Sequence, residues 1–234
     1  DLLRLNHLVS AHRGHEEIII SGDEFRRISE KLFTLANDFL LNFLNSNERK
    51  IEPNELGILA PLRAGLAGLR AWQKIGAPAM AFLGLGRDEL DAKVTIRYYE
   101  HEPDDWRQSK LAVVSDPMLA SGGSADLGVN WCLTRRFAPE NIVVQAVVAA
   151  PEGLAMLLRM NPGIRVSTMA LDGGLNSKAF IMAPGLGDFG DHLCRGLTEE
   201  IIRELWGATG ILPAKGCAEV WARTQTLQSQ SETK

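Results

Sequence analysis

The residues best suited to chemistry lie between Leu111 and Ala125, which read LAVVSDPMLASGGSA. An apolar strand ends in an acid, Asp116, and a loop containing Ser121-Gly122-Gly123-Ser124 then leads into a helix. Glycines let the backbone turn so tightly that successive N–H groups converge, and a helix N-terminus adds the positive end of its dipole. That combination suits a phosphate, and Asp116 just ahead of it suits the hydroxyls of a sugar. The segment has neither the Gly-x-x-x-x-Gly-Lys of the P-loop nor the Gly-x-Gly-x-x-Gly of dinucleotide folds. Arg63 stands in a second turn, Pro61-Leu62-Arg63-Ala64-Gly65, directly after another apolar run.

These groups need a scaffold that brings distant loops together. Short apolar runs at Leu56 to Ala60, Ala79 to Leu83, Leu111 to Ser115, Ile142 to Ala150 and Val166 to Leu171 alternate with helical patterns. The helix candidates are Ala64 to Lys74, Ser124 to Arg136 and Pro151 to Met160. Such alternation predicts an α/β fold, a mostly parallel sheet flanked by helices, with active loops at the carboxyl ends of the strands. Ahead of these, Ser21-Gly22-Asp23-Glu24 reads as a helix start, and Phe25, Ile28, Leu32, Leu35, Phe39 and Phe43 then recur at helical spacing as the face that packs on the sheet. Arg87 to Pro103 alternates apolar and polar residues among many charges, which predicts a β-ribbon flap standing off the sheet. Gln145 alone interrupts the run Ile142 to Ala150.

Composition sets the outer limits. The chain has 234 residues, 45% of them apolar, and a formal charge of -4, so it can bury a large core but carries no general field for a polyanion. No nucleic-acid partner is expected. No run approaches the roughly 20 apolar residues of a membrane helix, and Asp1 to Ser10 does not read as a signal peptide. Cys132, Cys194 and Cys217 form no Cys-x-x-Cys pair and read as reduced thiols of a cytoplasmic protein. His7, His12 and His15 read as a solvated N-terminal segment rather than a metal site, and no cluster of acids predicts a permanent metal.

With the elements in place, Asp116-Pro117-Met118-Leu119-Ala120-Ser121-Gly122-Gly123-Ser124 resembles the phosphoribosyl-pyrophosphate (PRPP) loop of the uracil phosphoribosyltransferase family, within the type I phosphoribosyltransferases. Ser121 stands where the family usually has Thr and keeps the hydroxyl. Pro184-Gly185-Leu186-Gly187-Asp188-Phe189-Gly190-Asp191 is similar to the family's uracil-binding hood. Ala149-Ala150-Pro151-Glu152-Gly153, Pro61 to Leu66, Arg87-Asp88-Glu89 and Glu24-Phe25-Arg26 agree in order. The resemblance runs from about residue 6 to residue 193.

The resemblance implies a phosphoribosyltransferase domain over residues 1–195, with the flap at 87–103 and a small hood at 172–191. Residues 196–234 would form a helical extension, with Thr198 as a cap for Leu197 to Leu205, and a frayed tail. It implies transfer of the phosphoribosyl group of PRPP to N1 of uracil, giving uridine monophosphate (UMP) and pyrophosphate. Arg63, Arg87 and Asp188 would be the catalytic residues. PRPP would be held by Arg63, Arg87, Asp116, Pro117, Met118, Leu119, Ala120, Ser121, Gly122, Gly123, Ser124 and Asp188. Uracil would meet Met182, Gly187, Asp188 and Phe189, mainly through backbone groups, with Ile181 open as a substitute for Met182. Mg2+ would arrive bound to PRPP. A homodimer or higher homo-oligomer is implied, and GTP stays open as an effector. The flap departs from the family in lacking a lysine after its Tyr98-Tyr99 pair, where Arg97 or His101 would have to substitute. That keeps a second expectation in play, a weak or inactive relative acting as a uridine-nucleotide sensor or interaction protein.

Overall fold

The computed structural model describes residues 22–46, 50–76, 78–87, 94–175, 189 and 193. Contacts divide the chain into a unit spanning Asp1–Cys194 and a second spanning Arg195–Lys234, and the described residues all belong to the first. The cap expected at Ser21, most of the hood, the helix expected at Leu197 to Leu205 and the polar tail lie outside the described residues.

Among the described residues seven strands build one sheet: β1 (Leu56–Leu62), β2 (Ala79–Arg87), β3 (Val94–His101), β4 (Leu111–Ser115), β5 (Met118–Leu119), β6 (Ile142–Ala149) and β7 (Arg165–Leu171). Their order is β3-β2-β1-β4-β6, with β5 continuing the β4 side of β6 and β7 on its other side. Every pairing is parallel except β2 with β3. Strands β1, β4 and β6 are buried along their whole length, as the near-continuous apolar runs require when both faces are covered.

Helix α1 (Gly22–Ser46) and helix α2 (Leu69–Lys74) pack on one face, where Phe25, Leu32, Phe33, Ala71, Val147 and Val148 share a core. Helix α3 (Gly123–Thr134) and helix α4 (Pro151–Met160) cover the other, with Leu59, Val114, Val129, Trp131, Cys132 and Leu157. Burial pushes the Cys132 thiol up to about 12, so it stays protonated at neutral pH.

Two expectations need correction. The buried stripe of α1 does run through Phe25, Ile28 and Leu32, but it continues through Phe33, Ala36, Leu40 and Leu44. Leu35, Phe39 and Phe43 face solvent instead, at 51, 56 and 47% exposure. The inward face turns about the axis by roughly a quarter turn between the two halves of the helix, because the layer beneath it twists. The ribbon is corrected too. Its lower part belongs to the sheet, with Phe82, Leu83 and Gly84 paired to β1 on one side and to His101, Glu100 and Tyr99 on the other. Only Leu85–Arg87 with Val94–Ile96 runs past the end of β1, beyond a register shift at Gly84/Leu85 that leaves Arg97 and Tyr98 as extra residues on β3.

An ion-pair cluster fastens that edge strand to α3. The Arg135 guanidinium donates to Glu100 (2.5 Å) and Glu102 (2.7 Å), and lies 3.5 Å from the Trp131 ring centroid. Arg107 donates to the second Glu102 oxygen at 2.7 Å, and the Trp131 indole N–H donates to Glu100 at 2.9 Å. Beneath them Trp106 packs edge-on to Trp131 and over Gly57, where a Cβ would come within 2.9 Å of the Trp106 ring.

Burial raises the Glu102 carboxyl, but its hydrogen bonds from Arg107 and Arg135 outweigh that and hold it below its ordinary value of 4.5. A depressed folded-state pKa gives stability that is complete above the unfolded value and is lost as pH falls through the folded one. Glu102→Gln is therefore expected to lower stability at pH 7 by about 1 kcal/mol. In urea titrations the gap to the native protein should close below pH 4.5; a gap that stays constant with pH would refute the assignment.

Candidate functional site

The parallel strands β1, β4 and β6 end on the same side of the sheet, and the residues with chemistry follow them there. Arg63 comes directly after β1, Asp116 after β4, and Ala150-Pro151-Glu152-Gly153 after β6. Arg87 is the last residue of β2, which runs parallel to β1. The sheet thus gathers the predicted basic and acidic groups at the edge where such folds bind ligands.

Around Arg63 the chain turns from strand to helix. Its carbonyl accepts from the Leu66 N–H at 3.1 Å, opening a 3-10 turn over Ala64–Gly68 that feeds α2. The Leu62–Arg63 peptide is cis. Gly65 lets this turn lie on the strand it has just left, since a Cβ there would stand 3.0 Å from that of Ala60.

Asp116 is 8% exposed and sits between β4 and the loop. Its backbone N–H donates to the Gln145 carbonyl at 3.0 Å, and its Oδ1 accepts from the Met118 N–H at 3.2 Å. The next three residues are spent on holding the loop. The Pro117 carbonyl accepts from the Val147 and Val148 N–H groups, the Leu119 carbonyl accepts from Ala150 at 2.8 Å, and the Leu119 side chain is in the core. This short β5 leaves no signal in the sequence, because two residues carry no periodicity.

The open part of the loop is Ser121–Ser124. Gly122 takes φ +89, a left-handed conformation that a side chain would strain, and directly precedes α3. The first helical bond runs from the Asp126 N–H to the Gly122 carbonyl at 2.8 Å, so the N–H groups of Gly123, Ser124 and Ala125 have no acceptor inside the helix. Three N–H groups at a helix N-terminus make an anion cradle. The start of α4 presses on it from behind: a Cβ on Gly153 would lie 2.1 Å from the Ala120 carbonyl oxygen, and one on Gly122 would lie 3.0 Å from the Gly153 oxygen. The letters Ala149 to Gly153 alone carry no sign of this role for the glycine.

The same turn of α4 secures the beginning of the hood segment. The Glu152 carboxylate accepts from the Leu175 N–H at 3.3 Å, and the Asp172 N–H donates to the Ala149 carbonyl at 2.8 Å. Met182, Gly187 and Asp188 lie outside the described residues, as does Ile181. Phe189 is described: it is buried, and its ring meets Phe25 of α1 edge-on at 4.9 Å. Among the described residues no group of three or more His, Cys, Asp or Glu side chains could hold a metal ion, and no helix is long and apolar enough to cross a membrane.

Residues 39–195 match the family model for uracil phosphoribosyltransferase. A uracil phosphoribosyltransferase of Bacillus pumilus is 33% identical over 198 residues, 81% of this chain and 91% of that protein. That of Lactococcus lactis is 40% identical over 146 residues, 62% of this chain and 68% of the other. That of Halalkalibacterium halodurans is 38% identical over 149 residues, 63% and 69% of the two chains. Among solved structures, a protein from Aquifex aeolicus superposes with a TM-score of 0.66 at 25% identity, covering 82% of this chain and 95% of that one.

The contact between Gly153 and Ala120 generates a test that needs no assumption about the reaction. Gly153→Ala must push the loop or the helix aside, at a cost of about 1–3 kcal/mol. Its melting temperature should fall, and stabilisation by inorganic phosphate should weaken at least several-fold. An alanine variant with native phosphate affinity would show that the close approach does not shape the cradle.

Proposed function

The chain belongs to the uracil phosphoribosyltransferase family, and from that membership we propose that it transfers the phosphoribosyl group of PRPP to N1 of uracil, giving UMP and pyrophosphate. The observation that carries this reading is the cradle at Gly122–Ser124, left-handed at Gly122 and backed by Gly153, directly after the acid that ends β4. A 5-phosphate fits three convergent N–H groups, and ribose hydroxyls fit the Asp116 carboxylate.

In the reaction the bond from C1 of ribose to the pyrophosphate oxygen breaks, and the bond from C1 to uracil N1 forms. The N1 proton is released, and the bonding pair leaves with pyrophosphate. Positive charge develops at C1 and negative charge on the leaving group, so catalysis rests on position and electrostatics. Arg63 and Arg87 are assigned to the pyrophosphate, where a permanently charged fork offers paired donors. Asp188 is assigned to the junction of the two substrates. Gly187, Phe189 and Met182 or Ile181 are assigned to the base, with Phe189 acting through its main chain. Magnesium enters as the ion carried by PRPP, and Asp116 is the carboxylate that directly precedes the cradle loop. A homo-oligomer, GTP as an effector and a cytoplasmic setting complete the reading.

Purified protein incubated with magnesium, PRPP and labelled uracil is expected to form UMP. Arg63→Ala and Asp188→Ala should each lower kcat/KM by at least a hundred-fold while melting within a few degrees of the native protein. Absence of UMP, together with absence of a PRPP-dependent thermal shift, would overturn the reading. Full activity of both variants would overturn the residue assignments alone.

A further inference from the structure

The polar interruption of the buried strand β6 has a partner on every side. Gln145 is fully buried, as are Asn37 on α1, Trp72 on α2 and Ser115 at the end of β4. The Trp72 indole N–H donates to the Ser115 hydroxyl at 3.1 Å, the hydroxyl donates to Gln145 Oε1 at 3.2 Å, and Gln145 Nε2 donates to Asn37 Oδ1 at 3.0 Å. The direction of this chain is dictated by its first member. An indole N–H can only donate, so Ser115 must accept from it and pass its own proton on; Gln145 must then face Ser115 with oxygen and Asn37 with nitrogen. The amide of Asn37 is left with its nitrogen buried and without a hydrogen-bond partner among the described residues.

Burial of four polar side chains with one donor unsatisfied is a poor way to stabilise a core, because apolar residues of the same shape would serve as well or better. Their location suggests another use. Ser115 immediately precedes Asp116, and the Gln145 main-chain carbonyl holds the Asp116 N–H. Trp72 lies on the helix that continues the turn begun by Arg63. Gly68, between them, lies so close over the network that a Cβ would stand 3.3 Å from the Ser115 hydroxyl oxygen.

We infer that the one-way chain Trp72, Ser115, Gln145, Asn37 is a positioning device that fixes the Arg63 turn and the Asp116 loop relative to each other, so that both can meet one PRPP molecule. The inference rests on the reading of those two segments as the PRPP site. None of the four side chains is a catalytic residue; each acts through the backbone of its neighbours.

Gln145→Met keeps length and removes both hydrogen bonds, and Trp72→Phe keeps an aromatic ring and removes the donor that sets the direction. Gln145→Met is expected to raise KM for PRPP about ten-fold and Trp72→Phe about three-fold, with KM for uracil changed less than two-fold in both. Hydrogen exchange supplies a readout independent of turnover: the Asp116 and Met118 amides should lose protection in both variants while amides in the middle of β1 keep theirs. A fall in melting temperature with unchanged KM for PRPP and unchanged protection at Asp116 would overturn the inference and leave a merely structural network. If Gln145→Met does not fold, Trp72→Phe decides by the same two readouts. A native protein that turns over no PRPP would sink the reading of the site, whereas an active native protein with indifferent variants would sink this inference alone.

Discussion

The first turn of α4 and the carbonyl of Ala120 approach so closely that no side chain fits between them, and much of the site hangs on that contact. It forces glycine at position 153, seats the loop after β5, and so sets where the N–H groups at the start of α3 converge. The same turn carries Glu152, which reaches the backbone at Leu175, and follows Ala149, which binds Asp172. One short piece of backbone therefore supports both the cradle for an anion and the start of the segment assigned to the base. Packing at this point is steric, with distances that leave no room for compromise, and the electrostatics of the cradle are arranged around it.

Much of this architecture is legible in the sequence because buried parallel strands have to be apolar along nearly their whole length. Leu111–Ser115 and Pro151–Met160 emerge residue for residue, since a strand between two helical layers and a helix opened by proline have sharp boundaries. The inward face of α1 is less legible. Its apolar residues form two overlapping stripes, and only the twist of the layer beneath decides that Leu40 and Leu44 turn inward while Phe39 and Phe43 turn outward. Period alone cannot choose between stripes that differ by part of a turn.

The site divides along similar lines. Gly122 and its neighbours stand out because a left-handed residue ahead of a helix leaves a glycine in the sequence. Gly153 leaves the same letter but no clue to its neighbour, because the carbonyl that forbids a side chain lies on a loop more than thirty positions away. Gln145 is visible as an oddity in an apolar run, yet its meaning depends on Trp72, Ser115 and Asn37, which only the sheet order brings to it. The ribbon shows a further limit: alternation at Val94 to Tyr99 reveals a strand, whereas the bulge at Arg97 and Tyr98 that divides sheet from projection depends on register.

The strand order also governs when these parts can exist. Leu56 of β1 pairs with Leu111 of β4, and β4 is completed only by β6, which starts at Ile142. Neighbours in the sheet are thus far apart along the chain, and such pairings form only after long loops have closed. A polypeptide emerging from the ribosome would expose Arg63 well before it had a cradle, and the cradle would lack its backing until Gly153 had been made. The capacity to bind a substrate therefore arrives late in synthesis and at once, with no partial version for a half-made chain to use.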